Sequence, residues 1–272
     1  MKYPDDFIDQ VILGDCLEVM KDIPDKSIDL ILTDPPYNIT ACEWDKAIDL
    51  SKMWEQLERI GKDDCIYLFT SIQPFTTDLI NSKRNWFKYD WVWNKVNGSN
   101  FMNLKYEPFR IHESVLVFAK GTIKTFNPQR ESRTLLSLKR YPAGKEATVH
   151  CGGVVEHYAA KGTTSHIDDT GLKHPTSIVT ISKAGDNNEY DRFNSGFTHP
   201  TSKPLALMRY FILTYSNEGD LILDPFLGSG TTAVAAKKLG RHYIGIEIEP
   251  KYVEIAKKRL NFEMLNFAGG EP

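Results

Sequence analysis

Long apolar runs, paired cysteines and an excess of positive charge are all missing from this sequence, and each absence excludes a class of protein. None of the four cysteines among its 272 residues belongs to a Cys-x-x-Cys pair, so we expect neither a disulfide framework nor a zinc site. No apolar run approaches the length of a membrane span, and the N-terminal residues lack the apolar segment of a secretory signal. We therefore expect a protein of the cytoplasm that holds no metal.

Two nucleotide-binding signatures are absent as well. The sequence has no Gly-x-Gly-x-x-Gly fingerprint of dinucleotide-binding oxidoreductases and no P-loop ending in Gly-Lys-Ser or Gly-Lys-Thr. It also contains no internal repeat and no low-complexity tract. Hydrophobic residues make up 41% of the chain and aromatic residues 11%, a composition that indicates a folded globular protein.

Positive charge is concentrated in the middle of a chain that is slightly acidic overall. The formal net charge is -3 and the isoelectric point is about 6.2. Residues 120–163 carry eight basic and three acidic side chains, a local charge of +5, whereas residues 164–196 carry three basic and five acidic ones. Only the middle of the chain therefore has a charge that suits contact with phosphate groups.

Segments with the apolar pattern of buried strands alternate with helix-like segments towards both ends of the chain. This alternation predicts an α/β fold with a mainly parallel sheet. The predicted strands are 10–13, 27–33, 65–69, 87–93, 114–118, 221–223 and 243–248, and the predicted helices are 16–21, 50–60, 73–81, 205–216, 231–239 and 250–261. Between these groups the pattern degrades. We expect residues 1–119 and 199–272 to form one domain, with residues 120–198 inserted into it.

A glycine-rich turn, Asp224-Pro-Phe-Leu-Gly-Ser-Gly230, lies between a predicted strand and the helix after it. Glycines let a ligand approach the backbone closely, and the free N–H groups at a helix start attract an anion. Asp224 can accept a hydrogen bond from a ligand ammonium group. Glu247, at the end of the next strand, can accept from both hydroxyls of a ribose. An ammonium, a carboxylate and a ribose diol together describe S-adenosylmethionine better than NAD.

A second motif, Asp34-Pro35-Pro36-Tyr37, also follows a predicted strand. The exocyclic amino group of a base is a poor nucleophile because its lone pair is conjugated into the ring. The Asp34 carboxylate and the carbonyl after Pro35 can accept its two N–H groups, which helps the nitrogen to pyramidalise, and Asp34 can stabilise the positive charge that develops there. Tyr37 can stack on the base, a contact worth about 1–3 kcal/mol. Taken alone, this motif leaves a tight turn with an N-cap aspartate as an alternative.

With its motifs in this order, the sequence resembles the amino-methyltransferases of DNA, in their β arrangement. Members of that family have the Asp-Pro-Pro-Tyr block before the cofactor block and a target-recognition region between the two. The resemblance covers most of residues 10–260 and includes GDCLEVM at 14–20, YDWVWNK at 89–95, HESVLVFAKG at 112–121 and HPTSKP at 199–204. It is strongest to small adenine-specific modification enzymes of bacteria and their phages. It implies a circularly permuted, Rossmann-like class I methyltransferase fold that uses S-adenosylmethionine.

The resemblance also implies roles for individual residues. The four residues of the Asp-Pro-Pro-Tyr block would be the catalytic motif. Asp15 would bind the adenine amino group of the cofactor, with the Cys16 backbone nearby, and Glu247 would hold its ribose. Thr201 and Lys203 would be neighbours of the methionine carboxylate. The residues that would surround the methionine moiety are Asp224, Pro225, Phe226, Gly228, Ser229, Gly230, Thr231 and Thr232.

Five residues near these motifs have more than one possible role. His112 and Glu113 look like an acid/base pair, but the chemistry needs no strong base because the amine becomes acidic after methyl transfer. A structural role and a contact with the DNA backbone both remain open for this pair. Trp91 and Trp93 can stack on a flipped base, although their place in a predicted strand favours core packing. Cys42 needs no catalytic role, since the Pro-Cys context of cytosine C5 enzymes is missing.

Basic residues of the insertion are the predicted DNA contacts, because they alternate with aromatic side chains and suit phosphate contact and groove reading. The candidates are Lys124, Arg130, Arg133, Lys139, Arg140 and Lys145. A base inside a duplex is inaccessible, so the target would be flipped out at a cost of roughly a few kcal/mol. The expected partner is double-stranded DNA. The resemblance suggests two more: a second copy of the chain and a cognate restriction endonuclease.

The predicted activity is methylation of N6 of adenine in DNA, and several alternatives remain. N4 of cytosine is the closest, since it is also an exocyclic amine, but cytosine enzymes more often begin the motif with serine than with aspartate. RNA and protein glutamine are more distant substrates, and glutamine methylators place the cofactor block first. The intact catalytic motif argues against a catalytically silent DNA-binding protein. The missing three-glycine fingerprint argues against a Rossmann oxidoreductase.

Overall fold

A computed structural model describes residues 1–37, 48–98, 100–132, 146–147, 165–166, 172–182 and 202–268, and these contain twelve strands and six α-helices. The strands are β1 (Gln10–Leu13), β2 (Ile28–Thr33), β3 (Gly61–Ser71), β4 (Phe87–Asn94), β5 (His112–Ala119), β6 (Glu131–Ser132), β7 (Glu146–Ala147), β8 (Ser165–His166), β9 (Leu172–Lys173), β10 (Ile178–Thr180), β11 (Leu221–Asp224) and β12 (His242–Glu247). The helices are α1 (Cys16–Val19), α2 (Leu50–Ile60), α3 (Phe75–Ser82), α4 (Leu205–Tyr215), α5 (Thr231–Lys238) and α6 (Pro250–Ala268). Contacts divide the chain into a first unit, residues 1–127 and 177–272, and a second, residues 128–176.

The first unit is built on one eight-stranded sheet with the order β1-β12-β11-β2-β3-β5-β4-β10. Of these strands only β5 is antiparallel to its neighbours, and every other adjacent pair is parallel. The mainly parallel α/β fold predicted from the sequence is therefore confirmed. Because seven strands run in one direction, their carboxyl ends meet at one edge of the sheet, and ligands of open α/β folds bind at that edge.

Helices cover both faces of this sheet. Leu30 and Leu32 of β2 belong to a buried cluster with α4, α5 and α6, whereas Ile31 belongs to a second cluster with α1, α2 and α3. Successive residues of a strand point to opposite faces, so each cluster fills one of the two helix–sheet interfaces. None of the helices in the described stretches is both long enough and apolar enough to cross a membrane.

Local sequence signals account for most of these elements. Helix α2 has the predicted bounds: the Asp49 side chain accepts hydrogen bonds from the backbone at its start, and Met53, Leu57 and Ile60 form its buried stripe. Trp91 and Trp93 are buried in the core, which confirms core packing for both. Strand β10 was not predicted, because three residues are too few for a periodic pattern.

The second unit contains two antiparallel strand pairs, β6 with β9 and β7 with β8. An ion pair of 3.0 Å between Lys173 and Glu131 accompanies the first pair. The predicted insertion, residues 120–198, extends beyond this unit on both sides and includes β10, which belongs to the main sheet. Its role in target recognition stays a prediction.

Candidate active site

The glycine-rich turn between β11 and α5 has the backbone shape that its sequence predicts. Gly228 and Gly230 have positive φ angles of 55° and 89°, a conformation that glycine adopts without strain. Helix α6 supports the turn through the buried side chain of Arg259, which hydrogen-bonds to it. The Arg259 guanidinium donates to the Ser229 carbonyl at 2.7 Å and to the hydroxyls of Ser229 and Thr231 at 3.0 and 3.1 Å. Sequence reasoning missed Arg259, because nothing in the pattern of α6 distinguishes it from an exposed helix arginine.

Glu247 lies at the end of β12, directly beside this turn. Its carboxylate accepts hydrogen bonds from the backbone N–H of Gly228 at 2.7 Å and from that of Glu249 at 2.9 Å. Burial raises the pKa of the Glu247 carboxyl above its ordinary value. Glu249 is less buried and turns its backbone towards Glu247. The geometry therefore places Glu247 against the turn, and its predicted contact with a ribose stays a prediction.

Asp224, the last residue of β11, is almost completely buried at the start of the turn. One carboxylate oxygen accepts from the Thr33 hydroxyl at 2.6 Å and from the Phe226 backbone N–H at 3.1 Å. Burial raises the pKa of Asp224 to about 6, and the hydrogen bonds from Thr232 and Thr33 only partly offset that effect. The bond to Thr33 ties β11 to β2, and the residue after Thr33 is Asp34. The two predicted motifs thus meet at the same edge of the sheet.

Asp15 and Cys16 follow β1, whose last residue is in register with Glu247. Asp15 is exposed and accepts a hydrogen bond from the Leu17 backbone at 2.8 Å, so it caps helix α1. Cys16 is buried, and burial together with the nearby Asp15 carboxylate raises the pKa of its thiol to about 12. A thiol with that pKa stays protonated near neutral pH, so the side chain of Cys16 is not a nucleophile. Contact of these two residues with a cofactor adenine stays a prediction.

The Asp34 carboxylate is held by three donors. One oxygen accepts short hydrogen bonds from the hydroxyls of Tyr37 and Thr70, and the other accepts from the Lys203 ammonium at 2.6 Å. Tyr37 also packs against Phe75, with ring centroids 5.3 Å apart, and burial raises the pKa of its phenol well above the ordinary value. Tyr37 therefore acts as a neutral donor that orients Asp34. Pro35 is buried and Pro36 partly buried beside it.

Lys203 lies at Asp34 rather than out at the glycine-rich turn. Its ammonium is 2.6 Å from Asp34 and 3.6 Å from Glu113. Burial alone would lower the pKa of Lys203, but the two carboxylates outweigh burial and raise it above the usual lysine value. The preceding residue, Ser202, contacts the hydroxyls of Ser229 and Thr231 at 3.4 and 3.3 Å, so this segment does border the turn. Thr201 lies outside the described residues.

Four polar residues of this edge were missed by sequence reasoning or left without a role: Thr33, Thr70, Lys95 and Glu113. Glu113 is buried and pairs with Lys95 at 3.1 Å, so of its two open roles the structure supports the structural one. The only available signal was position, since each of these residues stands within two residues of a strand end at this edge.

The predicted DNA contacts are only partly within the described residues. Lys124 is exposed and lies 3.6 Å from Asp64, near the start of β3 and so away from the edge that holds Asp34. Arg130 is exposed in the second unit. The other four candidates, Arg133, Lys139, Arg140 and Lys145, lie outside the described residues, as does Cys42.

Comparison with known proteins shows the family to which this chain belongs. A family described as DNA methylase matches residues 28–258, which is more than half of the chain. The chain belongs to this DNA methylase family. The type II methyltransferase M.HinfI of Haemophilus influenzae is 30% identical to it over 94% of this chain and 69% of its own length. The predicted family is therefore confirmed.

Two solved structures share the fold. The crystal structure of the M1.HpyAVI-SAM complex is 25% identical, with a TM-score of 0.59 over 93% of this chain and 98% of that one. The cytosine-N4-specific PvuII DNA methyltransferase is 19% identical, with a TM-score of 0.61 over 92% and 85%. The class I methyltransferase fold is thus confirmed, and S-adenosylmethionine is the cofactor of this family.

The residues at the edge of the sheet fit that cofactor. Asp224 is a buried carboxylate that can accept from the ammonium, and the turn at Gly228 and Gly230 brings backbone close to a ligand without side chains in the way. The hydroxyls of Ser229 and Thr231 can donate to a carboxylate, and the Glu247 carboxylate can accept from a ribose diol, so the predicted contacts with the cofactor are chemically possible here and stay predictions. This set of donors and acceptors matches the groups that were inferred from the sequence.

The affinity of the protein for S-adenosylmethionine should depend on the protonation of Asp224. Because burial raises the pKa of Asp224 to about 6, its carboxylate becomes protonated and loses its attraction for an ammonium as the pH falls below that value. We expect the association constant to fall about tenfold per pH unit below this pKa. The cofactor's own α-amino group, with a pKa of about 8, stays protonated below about pH 6, where this slope is read, and loses its proton only near the upper end of the range. Titration calorimetry between pH 5 and pH 8 measures this slope.

The variant Asp224→Asn is the control for that measurement. It should bind the cofactor weakly at every pH and show no such slope. If the slope persists in this variant, Glu247, whose pKa burial also raises, is the titrating group instead.

Proposed function

We propose that this DNA methylase transfers a methyl group from S-adenosylmethionine to N6 of adenine in a base flipped out of double-stranded DNA. The observation that carries the proposal is the Asp34 carboxylate, held by Tyr37, Thr70 and Lys203 and tied through Thr33 to the cofactor turn. A carboxylate fixed in this way, at the edge where the cofactor binds, is placed to receive an amino group. A catalytically silent DNA-binding protein would need no such arrangement.

The proposed chemistry assigns two acceptors to the target amine. The Asp34 carboxylate accepts one N–H and the carbonyl after Pro35 accepts the other, which frees the nitrogen lone pair from conjugation with the ring. Asp34 then stabilises the positive charge on the nitrogen as it is methylated. When bound, S-adenosylmethionine supplies an electrophilic methyl group on its sulfonium. The protein thus contributes mainly positioning and preorganised hydrogen bonds, with Pro36 shaping the turn and Tyr37 stacking on the base.

The proposed cofactor contacts follow the geometry of the turn. The ammonium is assigned to Asp224, the ribose to Glu247, and the adenine amino group to Asp15 with the Cys16 backbone. Thr201 is assigned to the neighbourhood of the methionine carboxylate, whereas Lys203, which was predicted there too, bonds to Asp34 instead. The remaining contacts with the methionine moiety are assigned to Pro225, Phe226, Gly228, Ser229, Gly230, Thr231 and Thr232.

Adenine is proposed over cytosine because the catalytic motif begins with aspartate, whereas N4-cytosine enzymes more often begin it with serine. The two nitrogens have the same chemical character, and a cytosine-N4-specific enzyme shares this fold. N4 of cytosine therefore remains the second candidate. Both require the same Asp34 geometry, so only the product distinguishes them.

Recognition of DNA is assigned to residues 120–198 and to the basic side chains predicted there. A second copy of the chain and a cognate restriction endonuclease are the other proposed partners. We place the reaction in the cytoplasm, the compartment expected from the sequence.

The test is methyl transfer to unmethylated genomic DNA, followed by digestion to nucleosides and mass analysis. N6-methyladenine is the expected product. N4-methylcytosine would retain the mechanism and overturn the choice of base. Absence of any methylated nucleoside, with cofactor binding demonstrated, would overturn the proposal and indicate an RNA or protein substrate or a catalytically silent protein.

A further inference from the structure

Four charged side chains form a chain of alternating sign behind the catalytic motif. Asp34 contacts Lys203 at 2.6 Å, Lys203 lies 3.6 Å from Glu113, and Glu113 contacts Lys95 at 3.1 Å. The side chains of Lys203, Glu113 and Lys95 are only 7%, 9% and 4% exposed. Buried charges are costly unless they are paired, and here each buried charge faces one of opposite sign.

One side-chain oxygen among these four residues has no hydrogen bond. Among the described residues, the Oε2 atom of Glu113 is buried and has no hydrogen-bond partner, because Lys203 stops 3.6 Å away and bonds to Asp34 instead. Its contact with Lys203 is an ion pair of 3.6 Å, longer than a hydrogen bond, whereas most buried polar side-chain atoms in folded proteins are hydrogen-bonded. The other oxygen of Glu113 is fixed by Lys95, so Oε2 stays directed at the Lys203 ammonium.

The position of Lys203 also limits what Asp34 can do. Tyr37 and Thr70 already donate to Oδ1 of Asp34, and Lys203 donates to Oδ2. An ammonium at hydrogen-bond distance withdraws negative charge from the carboxylate and weakens it as an acceptor. The target amine needs the same carboxylate, and the positive charge that develops on its nitrogen is repelled by a second cation at that place.

We propose that Lys203 moves from Asp34 to Glu113 when the target amino group binds, and that Glu113 is a positioning residue for this exchange. The inference rests on the proposed binding of an exocyclic amine at Asp34. A shift of the ammonium by less than its present 3.6 Å separation completes the hydrogen bond of Glu113 Oε2 and frees Oδ2 of Asp34 for the amine. Lysine suits this role, because it is a compact charge on a flexible stem. The charges that face it are Asp34, which follows β2, Glu113 of β5 and, beyond Glu113, Lys95, which follows β4.

The variant Glu113→Gln tests the exchange, since it keeps the shape of the side chain and removes the charge that attracts Lys203. We expect the single-turnover rate of methyl transfer, from a preformed complex with cofactor and DNA, to fall about 10- to 100-fold. The dissociation constant for S-adenosylmethionine should change by less than about twofold. A rate equal to that of the unmodified protein would overturn the proposal.

A double-mutant cycle with Lys203→Met shows whether Glu113 acts through Lys203. If it does, Glu113→Gln should change the rate of the Lys203→Met variant by no more than about twofold, because that variant has no lysine ammonium for Glu113 to bind. A loss of rate on adding Glu113→Gln to the Lys203→Met variant as large as the loss it causes in the unmodified protein would show that Glu113 acts on its own and would overturn the proposal. Should Glu113→Gln fail to fold, Glu113→Asp is the second variant. It keeps the charge but places the carboxylate farther from Lys203, because its side chain is shorter, and an intermediate loss of rate is expected.

The matched control is Asp29→Asn, at the other end of β2. Asp29 is also a partly buried carboxylate that pairs with a lysine, Lys62, at 2.6 Å and accepts a backbone hydrogen bond from Leu221. This variant should leave the transfer rate unchanged, and an equal loss would mean that any weakened ion pair of the sheet slows the enzyme. Failure of the proposed function is seen separately, as absence of methyl transfer to DNA by the unmodified protein. Production of N4-methylcytosine would leave the inference intact.

Discussion

Replacing Asp34 with alanine is expected to lower the rate of methyl transfer by about 10³-fold or more, while cofactor affinity changes by less than about threefold. The Asp34 carboxylate is the acceptor that three donors hold in place, and its removal leaves the amine without its charge-stabilising partner. Cofactor affinity should persist because the cofactor turn keeps its own supports, which are Arg259 behind it and Glu247 beside it.

Single-turnover kinetics and titration calorimetry with S-adenosylmethionine measure the two quantities separately. The variant Asp34→Asn gives a second view, since it keeps the shape of the side chain but loses the charge, and it should be nearly as slow. Equal losses of rate and cofactor affinity in both variants would contradict the assignment of Asp34 to catalysis.

Replacing Gly230 with alanine should destabilise the fold and weaken cofactor binding together. Gly230 has a φ of 89°, and a Cβ atom there would lie 2.8 Å from the Cβ and 3.0 Å from the Cα of Ala256 in α6. Positive φ costs an alanine about 1 kcal/mol, and overpacking against a helix backbone adds about 1–3 kcal/mol. We therefore expect the free energy of unfolding to fall by about 3 kcal/mol. The turn that approaches the cofactor must also shift.

The chain contains a matched control for this substitution. Gly219 has a similar φ of 83°, but a Cβ atom there would meet nothing within 4 Å. Gly219→Ala should cost only the conformational strain of about 1 kcal/mol and leave cofactor affinity unchanged. Chemical denaturation and calorimetry on both variants separate the two effects. Equal losses of stability would show that the contact with Ala256 relaxes without cost.

Much of the site could be predicted because its two motifs are contiguous in the sequence. The block from Asp34 to Tyr37 and the turn from Asp224 to Gly230 each follow a strand, and the carboxyl ends of parallel strands meet at one edge. That the two motifs lie close together follows from this rule alone, and the hydrogen bond between Thr33 and Asp224 confirms it. The same rule placed Glu247 beside the turn.

Contacts made by residues outside the two motifs could not be predicted, because those contacts depend on strand order. Lys203 reaches Asp34 across 169 residues, and Glu113 joins them only because β5 pairs with β3, which in turn pairs with β2. A pattern of apolar residues predicts that a strand exists but not which strand it will lie beside. The same holds for Arg259, since only the packing of α6 brings it under the turn.

By itself, the sequence determined the class of fold, the family and the two motifs, because strand and helix periodicity and turn chemistry are local properties of the chain. Only the tertiary structure decided which charges surround Asp34, that Lys203 lies at the catalytic motif, and that Glu113 retains an unused acceptor beside it. These contacts arise from the pairing of distant strands into one sheet. Side chains far apart in the sequence then share one buried edge, where the low dielectric makes each charge depend on its neighbours.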